Sequence, residues 1–101
     1  MKHVNIHCDV AQANEIISIL EQCNISSFQI IDKVKVKNRL GDPRMNNSIW
    51  PGYNVLIMLQ IRDIDKFEFL LNNIQNYNKN VTNINQYITL EAWNIDTLIF
   101  E

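Results

Sequence analysis

Two glycines, two prolines and two cysteines are all that this 101-residue chain holds of the residues that bend, break or staple a backbone. The glycines and prolines fall together, as Gly41, Pro43, Pro51 and Gly52. The stretches on either side therefore contain no strong breaker and are expected to run as regular elements. Cys8 and Cys23 form no Cys-x-x-Cys pair and no disulfide framework, and they read as reduced thiols. An excess of basic charge is missing too. Nine Lys and Arg against 11 Asp and Glu leave a net charge of −2, which argues against the dense cationic face of a nucleic-acid-binding domain. The longest strongly apolar run, residues 55–59, is far below the ~20 residues that cross a bilayer, so no membrane insertion is expected. His3, Asn5, His7 and Asp9 interrupt any apolar export signal near the start, and a cytoplasmic protein is the expectation.

What is present suits a folded domain. Hydrophobic residues make up 47% and charged residues 20% of the chain, a globular balance. At this length residues 1–101 are expected to form one domain around one core. Asparagine crowds residues 72–85, but Leu70, Leu71, Ile74, Val81 and Ile84 keep an apolar pattern there, unlike a low-complexity tract.

The apolar pattern predicts strand, helix, strand on each side of the breakers. Val4, Ile6 and Cys8 alternate with His3, Asn5 and His7, the period of a strand. Ala13, Ile16, Ile17, Leu20 and Cys23 recur at three and four, a helical stripe. Asp9 and Gln12 suggest a loose capping box at its start, and Asn24 suits the left-handed residue that ends it. Phe28, Ile30, Val34 and Val36 then alternate with Gln29, Lys33, Lys35 and Lys37, which predicts a long strand with a lysine face in water. Residues 55–61 are nearly all apolar and read as a strand covered on both faces. Asp63 and Asp65 suit a helix N-terminus, and Phe67, Leu70, Leu71, Ile74 and Tyr77 form its stripe. Residues 87–93 alternate as a fourth strand, and residues 97–100 suggest a short fifth.

The order β-α-β-loop-β-α-β predicts an α+β, ferredoxin-like βαββαβ fold, an antiparallel sheet with two helices on one face. One side of the third strand is too apolar for water, so the open sheet face is expected to meet another subunit in a cyclic oligomer. The breakers define a long loop, residues 38–54, between strands 2 and 3. Loops this long within a compact domain usually serve a function.

That loop carries a resemblance. Gly41-Asp42-Pro43-Arg44, followed by Ile49-Trp50-Pro51-Gly52-Tyr53-Asn54 and an apolar strand, resembles the small PII-like proteins, relatives of the nitrogen-regulatory PII and CutA types. The element order matches over essentially the whole chain, while the specific motif lies within residues 41–54. The resemblance implies a homotrimer with its sheets packed inward. It also implies a loop placed like the PII T-loop, small-molecule binding in clefts between subunits at the loop base, and a protein target such as a transporter, enzyme or regulator. An adenine nucleotide is the ligand class it brings. The chain departs from PII itself in segment 78–86, which has no glycine where PII cradles phosphates with a glycine-rich backbone. Residues 41–52 also hold no tyrosine to match a modified T-loop tyrosine.

The candidate ligand-binding residues are Arg39, Gly41, Pro43, Arg44, Trp50, Gly52 and Asn54. Arg39 and Arg44 flank a glycine-proline turn, and an arginine fork reads phosphate or carboxylate. They serve equally as solvated loop arginines. Trp50 either stacks on a ligand or anchors the loop base, and anchoring is the plainer reading. Pro51 and Gly52 suit a tight turn into the third strand, and Asn54 suits either the turn or a ligand. His3 and His7 share a strand face about 13 Å apart at ~3.3 Å per residue, so one chain cannot bring both to one metal. A trimer axis could gather three copies of either, but two ordinary imidazoles are the plainer reading and no metal is expected. Lys33, Lys35, Lys37 and Arg39 form a basic stripe without interleaved aromatics, which reads as a solvated edge. No Ser-His-Asp set, paired carboxylates, phosphate loop or zinc spacing appears, and an enzyme is not expected. Two further readings stay open: a ligand-free interaction module whose loop docks on a partner, and a CutA-like divalent-metal-binding protein.

Overall fold

The structure is a computed structural model and describes residues 1–38 and 40–100. Its elements are β1 (Lys2–Asp9), α1 (Ala13–Gln22), β2 (Gln29–Val34), β3 (Asn54–Ile61), α2 (Ile64–Asn80) and β4 (Thr89–Asn94). The strands form one sheet in the order β2-β3-β1-β4, with every neighbouring pair antiparallel. Each βαβ crossover therefore skips one position, and a strand of the other unit fills the gap. This is the expected ferredoxin-like α+β arrangement.

Pairing within the sheet follows from period two. Val4, Ile6 and Cys8 face the helices, as do Val55, Ile57, Leu59 and Ile61 opposite them, and all seven are buried. Ile16, Ile19 and Leu20 of α1, Cys23 just after it, and Leu70 and Ile74 of α2 close the core from above. The stripe on α1 differs by one residue from the sequence reading, since Ile19 is buried and Ile17 only half-buried. Both positions satisfy a spacing of three or four, and only the angle of the helix on the sheet chooses between them.

The helix ends are set by short polar side chains. The Asp9 carboxylate accepts from Ala11 N–H at 2.9 Å and caps a 3-10 turn, Val10–Gln12, that leads into α1. Asn24 takes φ +57° just beyond α1, where Ile25 N–H donates to Leu20 O at 2.9 Å. Asp63 caps α2 by accepting from Asp65 N–H at 2.9 Å. Asn78 both accepts from Ile88 N–H at 2.8 Å and donates to Ile88 O at 2.9 Å, which fastens the last turns of α2 to the entry of β4.

Two expected strands differ. The second ends at Val34 and does not continue to Lys37, because the register shifts between Ile31 and Val34 and Lys33 takes φ +56°. The Asp32 carboxylate accepts from Lys33 N–H at 2.9 Å and holds this bulge. The lysines of the expected stripe therefore do not share one continuous strand face. The fifth strand does not form. Residues 97–100 have no ladder partner among the described residues, and Ile99 and Phe100 are 82% and 90% exposed. No helix among the described residues is long and apolar enough to cross a membrane.

Cys8 sits in this core one residue from Asp9. Burial, and then the negative charge of Asp9, push its thiol up to about 11 from an ordinary value of 9.0. Strand end and helix start thus do not activate it, and it is a core residue. Between pH 9 and 11 the unfolded chain releases this proton while the folded chain keeps it, so stability is expected to fall through that window and to be flat below it. Urea unfolding at a series of alkaline pH values checks this. Cys8→Ala is expected to lower stability at every pH but to remove most of the alkaline decline. A decline unchanged in that variant would assign the loss to other groups.

Candidate functional site

The chain leaves β2 through the bulge and returns to β3 as an ordered loop. Val36 and Arg44 pair as an isolated antiparallel bridge, with N–H to O distances of 2.8 Å in both directions. Beyond it the loop closes on itself. Trp50 O accepts from Met45 N–H at 3.0 Å, and Gly52 O accepts from Asn46 N–H at 2.8 Å. The Asn47 side chain accepts from both Ile49 N–H and Trp50 N–H, at 3.0 and 2.7 Å, and fixes the tip turn.

Two latches hold the base of the loop against the domain. In the first, Arg44 Nε donates to Asp9 Oδ2 at 2.8 Å, with both side chains largely buried. Gly52 makes room for it: φ is +84°, and a Cβ there would stand 3.2 Å from Arg44 Cδ. In the second, Asp42 N–H donates to Asn85 Oδ1 at 2.9 Å, and Asn85 Nδ2 donates to Asp42 Oδ2 at 3.3 Å. Gly41 makes room here, with φ +86° and a Cβ position only 2.5 Å from Asn85 Oδ1. Asn85 lies in the 3-10 turn Ile84–Gln86, which Asn83 caps by accepting from Asn85 N–H at 2.9 Å.

Between the latches lies a cavity of about 270 Å³. Asp9, Arg44 and Asn54 form one wall, and Asn38, Leu40 and Asp42 bring the loop to it. Ile84, Asn85, Tyr87 and Thr89 close it from the segment after α2. Its charges are two aspartates and one arginine. Arg44 uses Nε on Asp9, so among the described residues its two terminal nitrogens remain for a ligand. The leucine, isoleucine and tyrosine give it an apolar side suited to a flat ring.

Of the residues singled out in sequence, Arg44 and Asn54 line this cavity, and Gly41 and Gly52 permit the latches beside it. Pro43 is half-buried between the latched residues and is not in the lining. Trp50 belongs to the loop tip, 42% exposed and outside the lining. Arg39 lies outside the described residues. Asn85 and Asp42 carried no separate signal, and Asp9 was legible only as a cap, because their partners lie 35 to 43 residues away.

His3 and His7 stand on the open sheet face, in a hydrogen-bonded row. Gln60 donates to His3 Nδ1 at 2.9 Å, His3 Nε2 meets Asn5 Oδ1 at 2.9 Å, and His7 Nε2 meets Glu91 Oε1 at 3.0 Å. Hydrogen bonds from His7 and then Asn5 hold the Glu91 carboxyl below its ordinary range. Trp93 lies over the His3 ring at 4.8 Å between centroids. Among the described residues no group of three or more His, Cys, Asp or Glu side chains is placed to hold a metal ion.

No family model and no curated protein matches the chain by sequence. Solved structures match it in three dimensions. CPII from Thiomonas intermedia K12, bound to ADP and bicarbonate, superposes with a TM-score of 0.68 at 12% identity, over 91% of this chain and 84% of its own. A second CPII structure, bound to ADP, AMP and bicarbonate and described as nitrogen regulatory PII-like, gives 0.64 at 13% identity, over 97% and 94%. A Thermus thermophilus protein described as PII-like gives 0.65 at 12% identity, over 93% and 85%. The chain has the PII-like fold.

Loop 38–54 thus lies between β2 and β3, and segment 78–86 runs from the end of α2 towards β4. That segment holds Asn83 and Asn85, and the Asn85 side chain is spent on the loop. Asn85→Ala removes one latch outright. It is expected to cost about 1 kcal/mol or less of global stability at this exposed hydrogen bond, while amide exchange at residues 40–46 rises well above that of β1 and β3. Equal acceleration across the sheet would show that Asn85 supports the core and not the loop.

Proposed function

We propose that this chain is a cytoplasmic, non-enzymatic PII-like regulator. It binds a small anionic ligand at the loop base and signals through loop 38–54 to a protein target. The observation that carries this is the cavity itself: the end of β1, the loop base and the segment after α2 meet around Arg44, and among the described residues nothing else ties the loop to so many elements. The fold relatives add support, since CPII structures hold ADP, AMP and bicarbonate. Assembly as a homotrimer would place the cavity at a cleft between subunits, where a neighbour completes it.

The charges narrow the ligand. One arginine with its Nε already committed to Asp9, beside two aspartates, suits an oxyanion or a nucleotide of low charge better than a triphosphate. Leu40, Ile84 and Tyr87 suit an adenine ring. The residues assigned to binding are Arg44 and Asn54 directly, with Gly41 and Gly52 holding the shape. Pro43 stiffens the loop base and Trp50 presents the loop tip. Arg39 is proposed as a second cation from its place in the sequence.

A second reading, a ligand-free docking module, is favoured by one feature. The loop tip exposes Ile49 at 77% and Trp50 at 42%, a pair suited to contact with a protein. Thermal unfolding of metal-stripped protein with AMP, ADP or bicarbonate separates the two. A ligand at 100 times its dissociation constant stabilises by ~2.7 kcal/mol, a rise of several degrees for a domain of this size. Arg44→Gln is expected to abolish most of that rise while the unliganded protein stays folded. Absence of any rise in the unaltered protein, together with partner capture lost on Trp50→Ala, would establish the docking module instead.

A further inference from the structure

We infer that His7 is a further ligand-contacting residue, and that its protonation tightens anion binding at the loop base. The inference rests on the reading of that base as an anion site. A second cavity, of about 280 Å³, adjoins the first. His7, Val34 and Val36 line it, while Asn38, Asn54, Tyr87 and Thr89 belong to the walls of both cavities. His7 therefore stands across a shared wall from Arg44. The two are also joined along β1, since Asp9, two residues on and on the same face as His7, holds Arg44. Among the described residues no carboxylate lines the second cavity.

The charges around the two cavities leave room for one more proton. Asp9, Asp42 and Glu91 stand against a single arginine, Arg44, among the described residues. While His7 is neutral the carboxylates are in excess by two charges, and an arriving anion is repelled; protonating His7 halves that excess. Glu91 does not take the proton, because its hydrogen bonds from His7 and Asn5 favour the carboxylate. A carboxylate only accepts, so His7 Nε2 carries the hydrogen of the 3.0 Å bond to Glu91 Oε1. Neutral His7 then offers an acceptor at Nδ1, which has no partner among the described residues, and the imidazolium offers a donor there. One proton turns a contact that repels an oxyanion into one that holds it. Other groups around His7 do not replace it. β3 sets Leu56 opposite it, and β4 brings Thr89 and Glu91, with Tyr87 just before the strand. His3 and Asp9 share its face of β1, and the first is bonded to Gln60 and Asn5. The loop sets Val34 and Val36 against the cavity, and Lys35 and Lys37 are exposed.

Titration calorimetry with adenosine monosulfate and with inorganic sulfate tests this, because neither probe changes charge between about pH 5.5 and 8, the range in which histidines ordinarily titrate. The full chain is expected to bind about tenfold more tightly at the lower pH, a modest coupling between two groups. Coupling is reciprocal, so binding near pH 7 is expected to take up part of a proton, read as a difference in heat between two buffers of unlike ionisation enthalpy. His7→Gln is expected to show the weaker affinity at both pH values and no proton uptake. His7→Lys, a cation throughout, is expected to bind at pH 8 as tightly as the unaltered protein binds at pH 5.5. Circular dichroism at both pH values checks that each variant is folded. Equal affinity at both pH values without proton uptake in the unaltered protein would overturn this inference and leave the anion site standing. So would a pH dependence kept in full by folded His7→Gln. No binding of either probe at any pH would overturn the reading of the loop base together with the inference.

Discussion

One carboxylate ties the loop of this molecule to its sheet. Asp9 ends β1, the strand that pairs with both β3 and β4, and is thus anchored at the centre of the sheet. Its Oδ1 caps the turn into α1, and its Oδ2 holds Arg44 of the loop. A charge-assisted hydrogen bond between largely buried partners is stronger than a neutral one and tolerates little misplacement. Gly52, beside Arg44, takes φ +84°, which glycine adopts without strain, and a Cβ there would stand 3.2 Å from Arg44 Cδ. Strand end, helix start and loop base therefore share a single side chain, and the cavity wall they make has a fixed shape.

The two faces of the sheet show the opposite balance of forces. Toward the helices, β1 and β3 contribute apolar side chains, with Lys2 at the rim over the Phe67 ring of α2. Toward the open side the same strands carry His3, Asn5, His7 and Gln60, satisfied by one another and by Glu91. A polar face with its hydrogen bonds already made can meet water or another copy at small cost. Leu56 and Met58, half-buried on that face, reduce its polarity along β3 and not along β1. Expected cover of both faces of β3 is thus fulfilled inside the chain on one side only.

Legibility in the sequence followed the range of the interaction. β1, α1, β3 and α2 were readable because their signals are local: alternation, a three-four stripe, and caps at Asp63 and Asn24. The PII-like fold was readable because the breakers gather in one place. The bulge at Lys33 was not, since Asp32-Lys33 interrupts an alternation that otherwise continues through Val36 and only the pairing with β3 reveals the shift. The fifth strand was read from apolar residues that are truly strand-like. Strand character is a property of a segment, but a strand needs a partner, and residues 97–100 have none among the described residues. In the site, Arg44 and the two glycines were visible as types, while Asn85 looked like one more asparagine in a crowd of them.

Asn85 also shows how a segment without glycine can wall a cleft. Glycine frees backbone N–H groups for phosphate. An asparagine at the same place offers an amide side chain, and this one donates to and accepts from the loop. This wall of the cleft is thereby built around the loop. A ligand shifts a conformational equilibrium only by the difference in its affinity for the two states. Here the latched state already satisfies Asp9, Asp42, Arg44 Nε and Asn85. A ligand that reaches only the terminal nitrogens of Arg44 strengthens the latched state, because it adds bonds and breaks none. A ligand large enough to need Arg44 or Asn85 as a whole must replace those bonds, and so favours the released loop. If an anion binds there as proposed, its size and charge would set the direction in which the loop responds, and the two latches the free energy to be overcome.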